Sequence, residues 1–260
     1  MNDIIKVKGL VIRTVDMKES DRLVTIFTEE RGVVSAIAKG ARSFKSRQMS
    51  STVQFCYGSY VLYQKGDYFW VKEAELIESF FDIRKSIEGL ALAAYICEVL
   101  SEVTVAEAEK DLLRLSLNSL YAIAKGGYEL DKVKAAFEVR TTAIIGFMPD
   151  ILACRECGER KGDFYFDIMG GTVLCQSCQS SLSQALFEIE DSHERRIVSI
   201  LTEGAKSAFV YCIYCPIERI FSFRITKEDM SFFCRAAEEY LINQLERSFK
   251  TLDFYNEVKR

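Results

Sequence analysis

Two cysteine pairs govern what this chain can fold into. Cys154-Arg155-Glu156-Cys157-Gly158 and Cys175-Gln176-Ser177-Cys178 are CxxC turns separated by 17 residues. Each CxxC turn is a short knuckle that aims both sulfurs inward, and an intervening hairpin of this length brings two knuckles face to face. Four thiolates complete a tetrahedral zinc shell and leave no open coordination position. The spacing therefore predicts one structural zinc ion on Cys154, Cys157, Cys175 and Cys178. Gly158 supplies backbone freedom after the first knuckle, and Gly170-Gly171 interrupts the strand-like stretch from Asp163 to Asp167. The competing reading is a metal-free ribbon with four reduced cysteines.

The chain has nine cysteines. A third pair, Cys212-Ile213-Tyr214-Cys215-Pro216, is flanked by Phe209-Val210-Tyr211 and Ile217. A redox CxxC belongs at a helix N-terminus after a strand, a place that Pro216 obstructs unless it sits in the first turn. The apolar flanks favour buried, inert thiols. Exchanging this pair into the zinc site would require closing a much longer loop. Cys56, Cys97 and Cys234 stand singly in apolar surroundings and read as small core residues.

The only histidine is His193, so chemistry needing two imidazoles is excluded. Its context, Asp191-Ser192-His193-Glu194, reads as the capped start of a helix that continues through Ile197, Val198 and Leu201. No GxxxxGK[ST] sequence occurs, and nucleotide hydrolysis is not expected. The chain reads as a binding protein rather than an enzyme, with no small-molecule substrate.

Five runs rich in β-branched and aromatic residues fill the first eighty positions: Val7 to Val15, Leu23 to Thr28, Val33 to Ala38, Phe55 to Tyr63 and Tyr68 to Leu76. Glu30-Arg31-Gly32 and Lys65-Gly66-Asp67 are turns between them. Five short strands without an intervening helix fit a five-stranded OB-fold barrel, and an SH3-like barrel fits the strand count nearly as well. After Phe81 the apolar period becomes helical, over Ile87 to Leu100, Leu112 to Leu120 and Asp131 to Ile145, and again from about 181 onward. The predicted architecture is α+β and multi-domain: an OB-fold over 1–80 and a helical domain over 81–260, with the zinc ribbon inserted at 151–180. No apolar run approaches the roughly 18 residues of a membrane span. The residues Met1 to Gly9 do not form a signal peptide, and the expected location is cytoplasmic.

Charge narrows the function further. The net charge is −4, so binding to nucleic acid must come from a local patch. Residues 1–80 carry 12 basic against 10 acidic side chains, and the remainder 22 against 28. Between Ala36 and Val53 lie Lys39, Arg42, Lys45 and Arg47 with no acidic residue, in a segment that reads as a mobile loop leaving the third strand. Phe44, Tyr57, Tyr60, Tyr63, Tyr68, Phe69 and Trp70 are near enough to supply stacking rings.

Taken together, these segments resemble the bacterial recombination mediator family RecO. The resemblance rests on Gly9, Val11, Glu19-Ser20-Asp21-Arg22-Leu23, Phe27-Thr28-Glu29-Glu30-Arg31-Gly32, Ala38-Lys39-Gly40-Ala41-Arg42 and Ser46. It continues through Glu73-Ala74-Glu75-Leu76, Phe137-Glu138-Val139-Arg140, Gly146-Phe147-Met148-Pro149, the cysteine knuckles and Gly170-Gly171. It implies an N-terminal OB-fold, a helical domain and a zinc ribbon. It also implies binding of single- and double-stranded DNA, annealing of complementary strands, association with RecR, and help for RecA in replacing single-strand-binding protein (SSB). Carried onto this chain, the DNA contacts fall on Arg22, Lys39, Arg42, Lys45 and Arg47, and the location becomes nucleoid-associated. The family's SSB-tail site uses basic residues on the helical domain, where this chain has Ala135 and Ala136 ahead of Phe137. Three rival readings accompany this one: an adaptor that reaches nucleic acid only through a partner, a thiol oxidoreductase using Cys212 and Cys215, and an RNA binder.

Overall fold

Strands build the first eighty residues, and the third of them shows the period most clearly. In β3 (Gly32–Ala38), Val34, Ala36 and Ala38 are buried while Val33 and Ser35 face outward, the period of a strand with one covered face. Alternation also marks β4 (Tyr57–Lys65), while β1 (Ile4–Met17) is buried on both faces from Gly9 to Ile12, β2 (Asp21–Thr28) is buried from Ile26 to Thr28, and β5 (Tyr68–Glu78) buries Val71. These strands close into a barrel in the order β1-β2-β3-β5-β4, with β1 pairing antiparallel to both β2 and β4. The β3–β5 pair is parallel. This is the OB-type connection and decides between the two barrel readings. Val7, Val11, Val24, Ile26, Val34, Tyr60, Leu62 and Val71 fill the interior.

One glycine lets the barrel close. β1 passes from β4 to β2 at Gly9, which lies opposite both Gly58 and Thr28. A Cβ there would sit 2.6 Å from the Phe27 carbonyl oxygen and 2.6 Å from Ile26 Cγ2. A side chain at position 9 would force the strands apart at the crossing.

The computed structural model describes residues 4–103, 110–187 and 197–259. Chain contacts divide it into two units, Met1–Leu130 with Phe249–Arg260, and Asp131–Ser248. In the first unit, α1 (Ile87–Glu102) is capped by Ser86, whose hydroxyl accepts from the Gly89 N–H. α2 (Lys110–Lys125) follows. The last helix, α7 in chain order (Lys250–Val258), returns to α1: Tyr95 and Phe249 meet edge to face at 5.6 Å, and Glu98 accepts from the Thr251 N–H at 3.0 Å.

The second unit holds α3 (Leu130–Ile144), β6 (Phe164–Asp167), β7 (Thr172–Cys175), α4 (Gln176–Phe187), β8 (Val198–Leu201), α5 (Glu203–Tyr214) and α6 (Lys227–Leu245). Its sheet is antiparallel in the order β7-β6-β8. Phe209 packs edge to face on Phe166 and on Phe233. An ion triad joins α3 to α6, with buried Lys134 Nζ 2.9 Å from buried Glu138 and 2.7 Å from half-buried Glu238. Burial lowers the Lys134 ammonium, but the two carboxylates outweigh it and hold it protonated. Among the described residues, no helix is long and apolar enough to cross a membrane.

One expected helix is a strand. Val198–Leu201 pairs with β6, Phe164 opposite Leu201 and Phe166 opposite Ser199. Its side chains alternate, Val198 and Ile200 outward, Ser199 and Leu201 inward. A four-residue segment with three apolar side chains fits either period, and pairing with β6 decides it. Asp191, Ser192 and His193 lie outside the described residues.

Candidate metal centre and nucleic-acid interface

The hairpin of β6 and β7 carries the second knuckle to the first. Cys175 ends β7 and Cys178 lies in the first turn of α4, where the helix dipole favours a thiolate. The first knuckle is closed by Gly158 N–H donating to the Cys154 carbonyl at 2.9 Å, with Gly158 at φ 77, a left-handed position suited to glycine. The Arg155 N–H donates to the Val173 carbonyl and lays this knuckle along β7. The sulfurs of Cys154, Cys157, Cys175 and Cys178 all lie within 4.8 Å of one another, with Cys157 and Cys175 3.6 Å apart. Zinc–sulfur bonds of about 2.3 Å in a tetrahedron place sulfurs about 3.8 Å apart, so the four donors fit such an ion.

The electrostatics agree with that fit. Burial pushes the Cys154 thiol up, but backbone N–H groups of Cys175, Cys157 and Glu156 outweigh it and bring the thiol down to about 6. Cys178 is pushed up to about 12, first by Cys175 and then by Cys157. At Cys157 the Glu159 backbone lowers the thiol, and Cys175 and Cys154 raise it more. The crowded sulfurs thus hold the Cys157 and Cys178 thiols against losing their protons. A divalent cation would relieve that conflict by taking all four as thiolate ligands and offsetting part of their charge.

Lys206, on α5, holds the first knuckle from behind. Its Nζ donates to the Arg160 carbonyl at 2.5 Å and the Leu152 carbonyl at 3.4 Å, and lies 3.8 Å from the centroid of the Phe164 ring. Burial pulls this ammonium down. Nothing in the sequence marks it, since a lysine between Ala205 and Ala208 reads as a solvated interruption of an apolar face.

The third CxxC is elsewhere. Cys212 lies in the last turn of α5 and Cys215 caps it, the opposite helix end from that which activates a thiol. Both are buried, and burial raises both thiols. Arg140 donates to the carbonyls of Cys212, Ile213 and Cys215, closing the helix terminus. This is the environment of inert thiols.

The predicted basic residues fall into two groups. Asp16 lies directly opposite Arg22 across the β1–β2 pair. Arg22 Nε is 3.2 Å from Asp16, its Nη1 donates to the Thr52 carbonyl at 3.2 Å, and its side chain is only 16% exposed. Arg42 Nε is 3.3 Å from the other Asp16 oxygen, and Arg42 Nη1 donates to the Glu19 carbonyl. Lys39, Lys45 and Arg47 are exposed, and no side-chain ion pair or hydrogen bond is found for them among the described residues. Sequence reasoning could not make this division, because it depends on Asp16.

The segment that carries them is a series of turns fastened along its length. The Gly40 N–H donates to Asp21 Oδ1 at 2.8 Å and the Arg42 N–H to the Ser20 carbonyl at 2.9 Å. Gln48 Nε2 donates to the Lys72 carbonyl on β5, and the Tyr60 hydroxyl to the Ser51 carbonyl. Ala41, Ser51 and Thr52 are buried. Of the candidate stacking rings, Tyr60 is in the core, Tyr57 is half-buried with its hydroxyl on Glu29, and Tyr63, Phe69 and Trp70 are half-buried. Only Phe44 and Tyr68 stand out in solvent.

Known proteins match this arrangement along nearly all of its length. The family description "Recombination protein O N terminal" covers residues 1–80, and "Recombination protein O C terminal" covers residues 84–253. A protein named DNA repair protein RecO from Acetivibrio thermocellus is 31% identical over 258 residues, 98% of either chain. Another of that name from Caldanaerobacter subterraneus is 28% identical over 252 residues, 96% of either chain. With both halves matched in order, and the barrel and cysteine cluster in place, the chain belongs to the recombination protein O (RecO) family.

Proposed function

We propose that this chain binds single- and double-stranded DNA through its OB-fold barrel, anneals complementary strands, and acts with RecR to help RecA replace SSB. Membership of the RecO family supports a role in DNA repair and recombination. The observation that carries the finer reading is the fastened loop after β3, which holds Lys39, Lys45 and Arg47 in solvent without a side-chain partner among the described residues. Arg42 joins them, since an exposed ion pair contributes little and exchanges readily for a phosphate. Arg22 is the fifth predicted contact and, by its geometry, supports the loop more than it reaches outward.

No covalent chemistry is needed. The cations replace counterions on the phosphates and leave base edges free to pair with an incoming strand. The cysteine cluster holds one zinc ion as a structural brace in this reading. In this reading the OB-fold at 1–80 is the DNA-binding part and the zinc ribbon at 151–180 a structural insertion in the helical domain over 81–260, within a chain acting at the nucleoid.

Fluorescence anisotropy of a labelled single strand across a salt series tests the proposal. Four phosphate contacts predict a loss of about 50-fold in affinity between 50 and 200 mM salt, and acceleration of strand annealing. Lys39→Glu with Arg42→Glu removes both. Absence of binding at low salt, with a stable RecR complex, would support instead the adaptor that meets DNA only through its partner.

A further inference from the structure

Phe44 is 96% exposed, the most exposed large apolar side chain among the described residues. Burying a phenylalanine stabilises a fold, and this one, left in solvent, contributes almost nothing. Its backbone is nevertheless fixed. The Ser43 N–H donates to the Gly40 carbonyl at 3.1 Å, the Ser46 N–H to the Ser43 carbonyl at 2.8 Å, and the Lys45 N–H to Ser43 Oγ at 3.4 Å. Residue 44 is thus held within successive turns while its ring touches little. Lys45 is its neighbour, with Arg42 and Arg47 within three positions, and no carboxylate occurs from residue 36 to residue 53.

From this placement we infer that Phe44 is the base-stacking residue of the loop: its ring takes an unpaired nucleobase while Lys45 and Arg47 take the adjoining phosphates. The inference rests on the DNA-binding reading and sharpens it. A ring among cations suits nucleic acid because every base offers a π-face whatever the sequence. It also assigns a preference, since bases stacked inside a duplex cannot reach the ring and those of a single strand can. Among the described rings of the barrel strands and their loops, Tyr68, at 62% exposure, is the other one in solvent. It lies opposite Lys65 beside the β4–β5 turn, outside the basic segment.

The test uses Phe44→Ala and Phe44→Leu in the full chain, substitutions at a side chain with almost no contacts to lose. Both are expected to weaken single-strand binding about five- to hundredfold at fixed salt, with the salt slope unchanged and duplex binding changed by about twofold or less. Leucine separates stacking from simple apolar contact, because it keeps the apolar bulk and loses the π-face. A spectroscopic readout accompanies the affinities: Trp70 is the only tryptophan. Phe44→Trp combined with Trp70→Phe therefore reports on the loop alone, and its emission should be quenched by a single-stranded oligonucleotide and not by duplex. Wild-type affinity in both Phe44→Ala and Phe44→Leu, with salt-dependent binding intact, would overturn the stacking role and leave the DNA-binding reading standing. No binding of DNA by the wild-type chain would overturn both. Vesicles of anionic phosphatidylglycerol form a third arm. Binding to them that depends on Phe44, with DNA binding that does not, would reassign the ring to a membrane surface and overturn the inference.

Discussion

At the cysteine cluster, four side chains from two knuckles are drawn within 4.8 Å of one another. At the loop after β3, the reverse holds: Lys39, Lys45 and Arg47 form no ion pair among the described residues. The first arrangement is unstable as a set of four thiolates and becomes favourable around a cation. The second is an unspent positive field, which becomes favourable against a polyanion. Arg22 and Arg42 lie between these extremes, since both lean on Asp16. The lesson is that residue type alone does not assign a role. Whether the fold has already neutralised a charge decides whether it is left for a ligand.

The largest effect should come from the metal side of this comparison. Structural zinc contributes on the order of 10 kcal/mol to a small domain. Chelation or Cys175→Ser should remove about one zinc per chain, measured by elemental mass spectrometry, and melt the ribbon. The barrel should keep its own strand signal by circular dichroism. A ribbon that keeps its hydrogen-exchange protection after chelation would instead be the metal-free form.

Much of both regions was legible in the sequence, for physical reasons that can be named. The two CxxC turns constrain each other through the hairpin between them, so spacing alone identified which four cysteines meet. The barrel strands announced themselves as runs of β-branched and aromatic residues between turn signals, as in Val33 to Ala38 after Glu30-Arg31-Gly32. Their order was not legible, because the parallel pairing of Ala36 with Phe69 and Ile37 with Trp70 is a long-range event. Strand β8 was hidden because Val198–Leu201 is too short to distinguish the two periods. Arg22 and Lys39 looked alike because the register that sets Asp16 opposite Arg22 cannot be read from composition. Lys206 gave no signal, since its partners are backbone carbonyls of a distant knuckle.

A smaller effect sharpens the division among the cations. Arg22→Ala removes a charged donor from the Thr52 carbonyl and one contact of Asp16, which should lower stability by about 1–2 kcal/mol in denaturant unfolding. Lys45→Ala should change stability by no more than about 0.5 kcal/mol, as expected for an exposed side chain without partners. Equal losses in the two variants would erase the distinction between a cation that holds the loop and one that reaches outward.

The most direct measurement is the slope of log affinity against log salt for a single-stranded oligonucleotide, with Lys39, Lys45 and Arg47 all replaced by alanine. Each lost phosphate contact should flatten the slope by about 0.7, so the triple variant should lose about two units of slope while its melting temperature stays near that of the wild type. An unchanged slope in a folded triple variant would contradict the account and place the DNA contacts away from the barrel loop.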